Sequence, residues 1–328
     1  MSLKIKILLT GLCAFCWCFS QAQEMVIEVL QQGNSYSDSS YYDILQVKDD
    51  YWICGKYGTL KKYTADGQLT NISYPSKNLD IYKMDMLDEE TIIASGDKGV
   101  IYTHNLNNGT WTSRQIAGYE DACFYNLAVM SPDKIYISGG NSKIAHSKKT
   151  VPEGFILESI DGGITWKEIY SNPFKMVWCV KKNPFDNQLY ALMYTLNKTH
   201  LFKLEEGQWQ KQEKIGNSIF HEIQFTSEKD YIATGGWIGK KGRVYFNDKQ
   251  VVMNHSGLIW GRTANAKYEL YPACNGQIVL GDHHGNHKVF GKKLHKDFSI
   301  YEAVFTSENT AIAIGSARTL LKLTIKES

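Results

Sequence analysis

Hydrophobic and polar positions alternate in short runs along most of this chain, and the runs recur. Each unit opens with an aromatic or similar residue, then a polar one, then an aliphatic one. Thirteen or fourteen positions later a small residue, usually glycine, ends a second run. The openings are Tyr42, Tyr82, Tyr125, Trp178, His221, Tyr268 and Tyr301, and the matching ends are Gly55, Gly96, Gly139, Ala191, Gly235, Gly281 and Gly315. Between them lie runs such as Tyr51-Trp52-Ile53-Cys54 and Thr91-Ile92-Ile93-Ala94, which are short, apolar and rich in β-formers, as buried strands are. A third run follows each glycine, and a turn and a fourth run complete most units. The openings are separated by 40, 43, 53, 43, 47 and 33 residues. A period near forty with four short strands predicts an all-β chain folded as a seven-bladed β-propeller.

Two departures from the period are insertions, 141–152 in the third unit and 252–262 between the fifth and sixth. The seventh unit ends near Ile325 after three strands. Met25-Val26-Ile27-Glu28-Val29-Leu30 has no unit of its own, and its β-branched character suits a strand. It is predicted to supply the missing outer strand of the last blade, which removes an exposed sheet edge. Residues 23–328 are then a single propeller.

One turn stands out, Ser159-Ile160-Asp161-Gly162-Gly163-Ile164-Thr165-Trp166. Asp161 is placed to accept backbone N–H bonds within it, the glycines tolerate positive φ, and Trp166 anchors the outgoing strand. Ser159, Asp161, Gly163 and Trp166 are therefore read as structural. Trp111 and Trp209 follow weaker versions of the same turn.

This turn resembles the Asp-box of sialidase-type and sortilin-type propellers. The wider unit, with Gly55-Lys56-Tyr57-Gly58-Thr59-Leu60 and Gly96-Asp97-Lys98-Gly99-Val100-Ile101, is similar to the photosystem II assembly and stability factor family and its non-photosynthetic bacterial relatives. That resemblance implies a seven-bladed, secreted or lumenal, mostly non-catalytic binding scaffold. The arginine-rich patch of that family is not matched, because the chain has four scattered arginines, Arg114, Arg243, Arg262 and Arg318. The arginine set of sialidases is not matched either.

The first residues read as a secretory signal. Lys4 and Lys6 precede an apolar run from Ile7 to Phe19, and Ser20-Gln21-Ala22 has the small-x-small cleavage pattern. Residues 1–22 are expected to be removed, and the residues before Cys13, Cys16 and Cys18 do not suit lipidation. A secreted or periplasmic location follows, with no membrane span in the mature chain. Of the 36 basic residues the signal holds two, and of the 34 acidic residues none, so the mature chain is formally neutral. That balance argues against nucleic-acid binding. Cys54, Cys123, Cys179 and Cys274 remain, too few and too scattered for a disulfide scaffold or a zinc knuckle, and read as buried thiols with one optional bridge.

Candidate binding residues come from the loops that follow second strands. They are Tyr57, His146, Trp237, Lys240, Lys241 and Arg318, with Trp260 nearby. Exposed aromatic residues beside basic ones suit a protein partner or a glycan platform. The residue after each opening is acidic in four units, Asp43, Glu222, Glu269 and Glu302. These are candidates for the central channel, as a cation-holding ring or as structurally paired charges, with pairing favoured. Asp282, His283 and His287 are the densest metal-competent group. No catalytic residue is assigned and no cofactor is expected. The reading is a non-catalytic scaffold for a protein partner in the cell envelope. The alternative is a glycan-binding or glycan-cleaving propeller.

Overall fold

The computed structural model describes residues 24–34, 39–72, 78–141, 154–195, 198–237, 240–246, 249–283, 286–291 and 298–326. The signal segment 1–22 and most of the 141–152 insertion, His146 included, lie outside them.

Seven four-stranded antiparallel sheets form among the described residues; six are simple meanders, and the seventh joins three consecutive strands to the first strand of the chain. Blades one and two begin with inner strands Tyr41–Val47 and Ile81–Met86, blades three to five with Ala122–Val129, Met176–Lys182 and Ile219–Phe225. Blades six and seven begin with Thr263–Ala264 and Ile300–Phe305. These first strands neighbour one another around the ring, so they line the central channel. The all-β, seven-bladed architecture read from the repeats is the one observed.

Closure is also as expected. Glu24–Gln31 pairs antiparallel with Thr319–Lys326, Met25 standing opposite Ile325, and forms the outer strand of blade seven. Met25 is buried in the packing between blades six and seven. The first strand of the chain thus seals its last sheet and ties both ends of the ring together.

The core is divided among the seams. Seven buried clusters each join two neighbouring blades. Between blades one and two, Trp52, Cys54 and Leu60 meet Ile81, Ile92 and Tyr102. A fully buried isoleucine here contributes about 1.5–3 kcal/mol. The described cysteines Cys54, Cys123, Cys179 and Cys274 are all buried and free, so the optional bridge does not form.

The glycine that closes second strands has a steric cause. A Cβ on Gly55 would lie 1.9 Å from the Ser40 carbonyl oxygen, and one on Gly315 would lie 2.1 Å from that of Ser299. The chain entering each inner strand presses directly on the end of the second.

Blade six departs from the sequence register. Tyr268 precedes the second strand, Glu269–Pro272, and Gly281 ends the third, Ile278–Gly281. The true opening is Trp260. Three features align it with the other blades. Cys274 N–H donates to the Leu258 carbonyl as Lys56 does to Ser40 and Asp97 to Asp80. Asn275 and Gly276 take the positive φ seen at Tyr57 and Gly58. Trp260 then follows Ile259 as Tyr82 follows Ile81. With Trp260 as the opening, the last gaps become 39 and 41 residues. Glu269 is therefore not a channel residue, and Asp282 and His283 follow the third strand on the face opposite the other candidate loops.

Candidate functional site: an aromatic mouth over a charged channel

The bulges of the inner strands build the mouth of the channel. Pairing with the second strand skips a residue between Tyr41 and Asp43, between Ile81 and Lys83, and between Ile300 and Glu302. The skipped residues are Tyr42, Tyr82 and Tyr301. Equivalent shifts occur at Trp178 and His221. A bulge breaks the two-residue alternation and re-aims a side chain. Here it turns an aromatic residue toward its counterpart on the next blade.

The resulting ring of half-buried residues is Tyr42, Tyr82, Tyr125, Trp178, His221, Trp260 and Tyr301. Tyr42 stacks on Tyr82 with centroids 5.4 Å apart, and Tyr82 meets Tyr125 edge-on at 5.8 Å. Tyr125 and Trp178 are 5.5 Å apart. His221 stacks on Trp260 at 5.1 Å, and Trp260 meets Tyr301 edge-on at 5.0 Å. Tyr301 meets Tyr42 at 5.8 Å. Two carboxylates brace the tyrosines from outside, Tyr42 donating to Asp80 at 3.3 Å and Tyr82 to Asp97 at 2.9 Å. Burial pushes the His221 imidazole down to about 4, so it is neutral at pH 7. Its Nε2 and the indole nitrogens of Trp178 and Trp260 are buried without a hydrogen-bond partner.

Just inside the ring the channel is charged. Asp43, only 2 % exposed, pairs with Lys83 at 2.6 Å and accepts the Met84 N–H at 2.7 Å. Glu222 pairs with Lys181 at 3.1 Å. Burial disfavours the Lys83 ammonium, but Asp43, Glu302 and Glu222 outweigh it and hold its pKa well above the usual lysine value. Burial likewise disfavours the Glu222 carboxylate, and Lys181 and Lys83 outweigh it, so Glu222 stays ionised. Glu302 goes the other way. Burial pushes it up to about 7, with Glu222 and Asp43 adding to the rise and Lys83 and Lys181 pulling against it. Asp85 is raised too, mainly by burial. A cavity of about 360 Å³ opens among Asp43, Lys83, Asp85 and Lys181.

Around this mouth the same face carries Tyr57, 52 % exposed, and Phe174, 68 % exposed. Lys56 lies over the Tyr57 ring at 4.7 Å. Trp237, Lys240, Lys241 and Arg318 lie in or beside the second-to-third strand loops of blades five and seven, on this face. Trp237 is half-buried and meets Tyr194 edge-on at 6.3 Å, while Lys240, Lys241 and Arg318 are exposed. Trp260 is not an isolated surface platform but a member of the mouth ring.

Glu269 and the histidines are elsewhere. Glu269 is buried between blades five and six, paired with Arg262 at 2.5 Å and accepting from Tyr271 at 2.8 Å. Arg262 also donates to Gln224. This network stands at one end of a cavity of about 460 Å³ walled by Ile232, Phe246, Met253 and Tyr271. His283 Nδ1 is 3.3 Å from Glu269 and its Nε2 is 2.8 Å from the Asn265 carbonyl oxygen. Asp282 binds Asn286 instead. Among the described residues no three histidine, cysteine or acidic side chains converge as metal ligands.

The Ser159–Trp166 turn lies on that opposite face. Asp161 accepts the N–H groups of Ile164 and Thr165 and the Thr165 hydroxyl, and these bonds, the Thr165 hydroxyl first, pull it down to about 2. Ser159 accepts from Gly163 N–H, and Trp166 Nε1 donates to the Gly163 carbonyl. Arg114 of blade two reaches across to the Gly163 and Ile164 carbonyls.

Sequence reasoning missed Lys181, Asp85, Asp80 and Gly261 as site positions. Lys181 lies in the inner strand of blade four and its partner Glu222 in that of blade five, about forty residues away, which no local pattern reveals.

No known family model matches the chain, and no curated protein is similar to it in sequence. Solved structures do match in fold. YCF48 bound to D1 peptide superposes with a TM-score of 0.67 at 11 % identity, over 92 % of this chain and 96 % of that one. YCF48 from Cyanidioschyzon merolae gives 0.65 at 12 % identity, over 90 % and 98 %. A catalytically inactive virginiamycin B lyase from Staphylococcus aureus with quinupristin gives 0.71 at 14 % identity, over 92 % and 99 %. At these identities the likeness extends to the fold, a seven-bladed β-propeller.

Proposed function

We propose that this chain is a non-catalytic scaffold that binds a protein partner, seating a peptide segment of it across the aromatic mouth of the channel. One observation carries the reading. Six inner strands and the segment that enters the seventh each deliver an aromatic or imidazole ring to one mouth, and the same face exposes Tyr57 and Phe174. Rigid aromatic side chains bind at low entropic cost and dominate protein interfaces. A YCF48 structure of the same fold holds a peptide, which supports the reading by analogy of fold. We further read residues 1–22 as a cleaved signal that delivers the protein to the cell envelope, where the partner would be met.

Site-specific photocrosslinking tests this. A photoreactive residue at Tyr57 or Phe174 is expected to capture a discrete envelope protein, while one at Ile160, exposed on the opposite face, is not. Capture from position 160 alone, or from none of the three, overturns it. A blank protein result with retention on immobilised glycans would favour the glycan reading, for which the aromatic ring supplies stacking surfaces. Amino-terminal sequencing of the mature protein checks for cleavage before Gln23.

A further inference from the structure

Two charged side chains of the ring pair with the preceding blade, and a third finds no charged partner there. The residue after each mouth aromatic is Asp43, Lys83, Asn126, Cys179, Glu222, Gly261 or Glu302 in blades one to seven. Long side chains there reach back to the preceding blade. Lys83 of blade two reaches Asp43 of blade one, and Glu222 of blade five reaches Lys181 of blade four. Glu302 of blade seven makes the same backward step toward blade six. There it meets Gly261. A Cβ on that glycine would lie 3.2 Å from Glu302 Oε1 and 3.5 Å from Oε2.

Neither the equivalent position of blade six, Gly261, nor the position two residues on, Thr263, which corresponds to Lys181 in blade four, carries a charge. Among the described residues the Glu302 carboxylate has one hydrogen bond, a long one of 3.4 Å from the Ala303 N–H, and no ion pair. Lys83 and Lys181 lower its pKa without forming an ion pair with it. Lys83 and Lys181 are engaged with Asp43 and Glu222, and Lys182 donates to the Met130 carbonyl. Asp85 adds a further carboxylate, so acids outnumber lysines in the channel. A half-buried carboxylate without a partner is costly unless a cation joins it.

The surroundings suit a particular cation. Trp260 and Tyr301, whose rings meet at 5.0 Å, belong to the two residues immediately before Gly261 and Glu302. Aromatic faces attract ammonium and guanidinium groups and pack against their methylene stems. A second observation is independent of charge. Trp260 Nε1 and His221 Nε2 are buried and unpartnered, on the two rings that stack beside this position. An indole N–H can only donate, so it calls for an acceptor such as a backbone carbonyl.

We propose that the mouth between blades six and seven receives one basic side chain, lysine or arginine, of the bound peptide, with Glu302 as its counter-charge and Trp260 and Tyr301 as its walls. The proposal rests on the peptide-binding reading above and adds the chemistry of the partner.

Immobilised full-length protein, exposed to four peptide libraries, tests it. Each library is randomised except for one fixed position, which is arginine, lysine, norleucine or glutamate. Arginine and lysine libraries are expected to be retained about tenfold or more over norleucine, as for a desolvated charge pair. In Glu302→Gln that preference falls to the norleucine level, with the fold intact by circular dichroism. In Glu120→Gln, which removes an exposed acid on the same face, it persists. Equal retention of basic and norleucine libraries overturns the proposal and leaves the peptide reading standing. So does a basic preference that survives Glu302→Gln or disappears equally in Glu120→Gln. Retention of none of the four libraries overturns both.

Discussion

Blades one and two, and blades six and seven, place their inner-strand side chains in the same geometry with opposite results. At the first seam the backward-reaching Lys83 finds Asp43, which is further held by the Met84 N–H. At the second, the backward-reaching Glu302 finds Gly261. The backbone is the same, with a bulge one residue earlier in both blades two and seven. The electrostatic outcome differs. Lys83 is held charged, whereas burial lifts Glu302 to about 7. A repeat fold offers each position seven times, and a position left unpaired in one blade is where an outside group can enter. The first seam is built for stability and the second gives some stability up.

The largest expected effect is at the paired seam. Asp43→Ala leaves the Lys83 ammonium buried without its nearest carboxylate and the Met84 N–H without an acceptor. Breaking a buried pair from one side usually costs about 3–5 kcal/mol. The lower end is expected here, because Glu222 and Glu302 also face Lys83. Urea unfolding measures it, and a loss under about 1 kcal/mol, the range of a surface pair, would erase the contrast between the seams. Glu302→Gln is expected to act in the opposite direction. The folded carboxyl titrates near 7 against an ordinary 4.5, so the native state keeps a proton that the unfolded chain has lost between those values. Stability from this group is full below pH 4.5 and is lost as pH rises through 7. The substitution should therefore stabilise by about 1–3 kcal/mol at pH 8 and have little effect at pH 4. Equal melting curves of the two proteins at both pH values would show that Glu302 has a counter-charge after all.

The contrast explains what could be read in advance. The blades were legible because each strand is short, apolar and closed by a residue under local steric pressure, such as Gly55 against Ser40. Even the N-terminal closure was legible, because Met25–Leu30 is a strand with no unit of its own. Blade six hides its register for a physical reason. Tyr268-Glu269-Leu270 imitates the aromatic–polar–aliphatic opening and has Gly281 at the right distance, yet Tyr268 packs at the start of a second strand. The Cys274-Asn275-Gly276-Gln277 turn, whose central pair takes positive φ, was the signal that fixes the register. With Tyr268 in the opening position, Gly261 falls outside the ring, and so does the place beside Glu302. The acids were visible as residues; their pairing was not, because each partner arrives from another blade.

Supplying the missing partner gives the smallest expected change in stability and the sharpest test of the comparison. In Gly261→Lys a lysine stands where blade one has Asp43, one backward step from Glu302. Gly261 does not have positive φ, so a side chain imposes no left-handed strain. The new Cβ would lie 3.2 Å from Glu302 Oε1, tighter than ordinary contact, but the atom in its way is the end of a side chain with room to shift. An internal ion pair gained against this crowding should leave stability within about 1 kcal/mol of the parent. The pH dependence is the telling readout. A cation beside Glu302 lowers its pKa toward the ordinary carboxylate range, so the loss of stability between pH 4.5 and 7 should shrink. Retention of the arginine and lysine libraries should fall to the norleucine level, because the tethered ammonium already occupies the place. Should the variant instead unfold several kcal/mol more easily, Gly261 would be a packing requirement of the blade-six entry. The two seams would then differ in space rather than in charge.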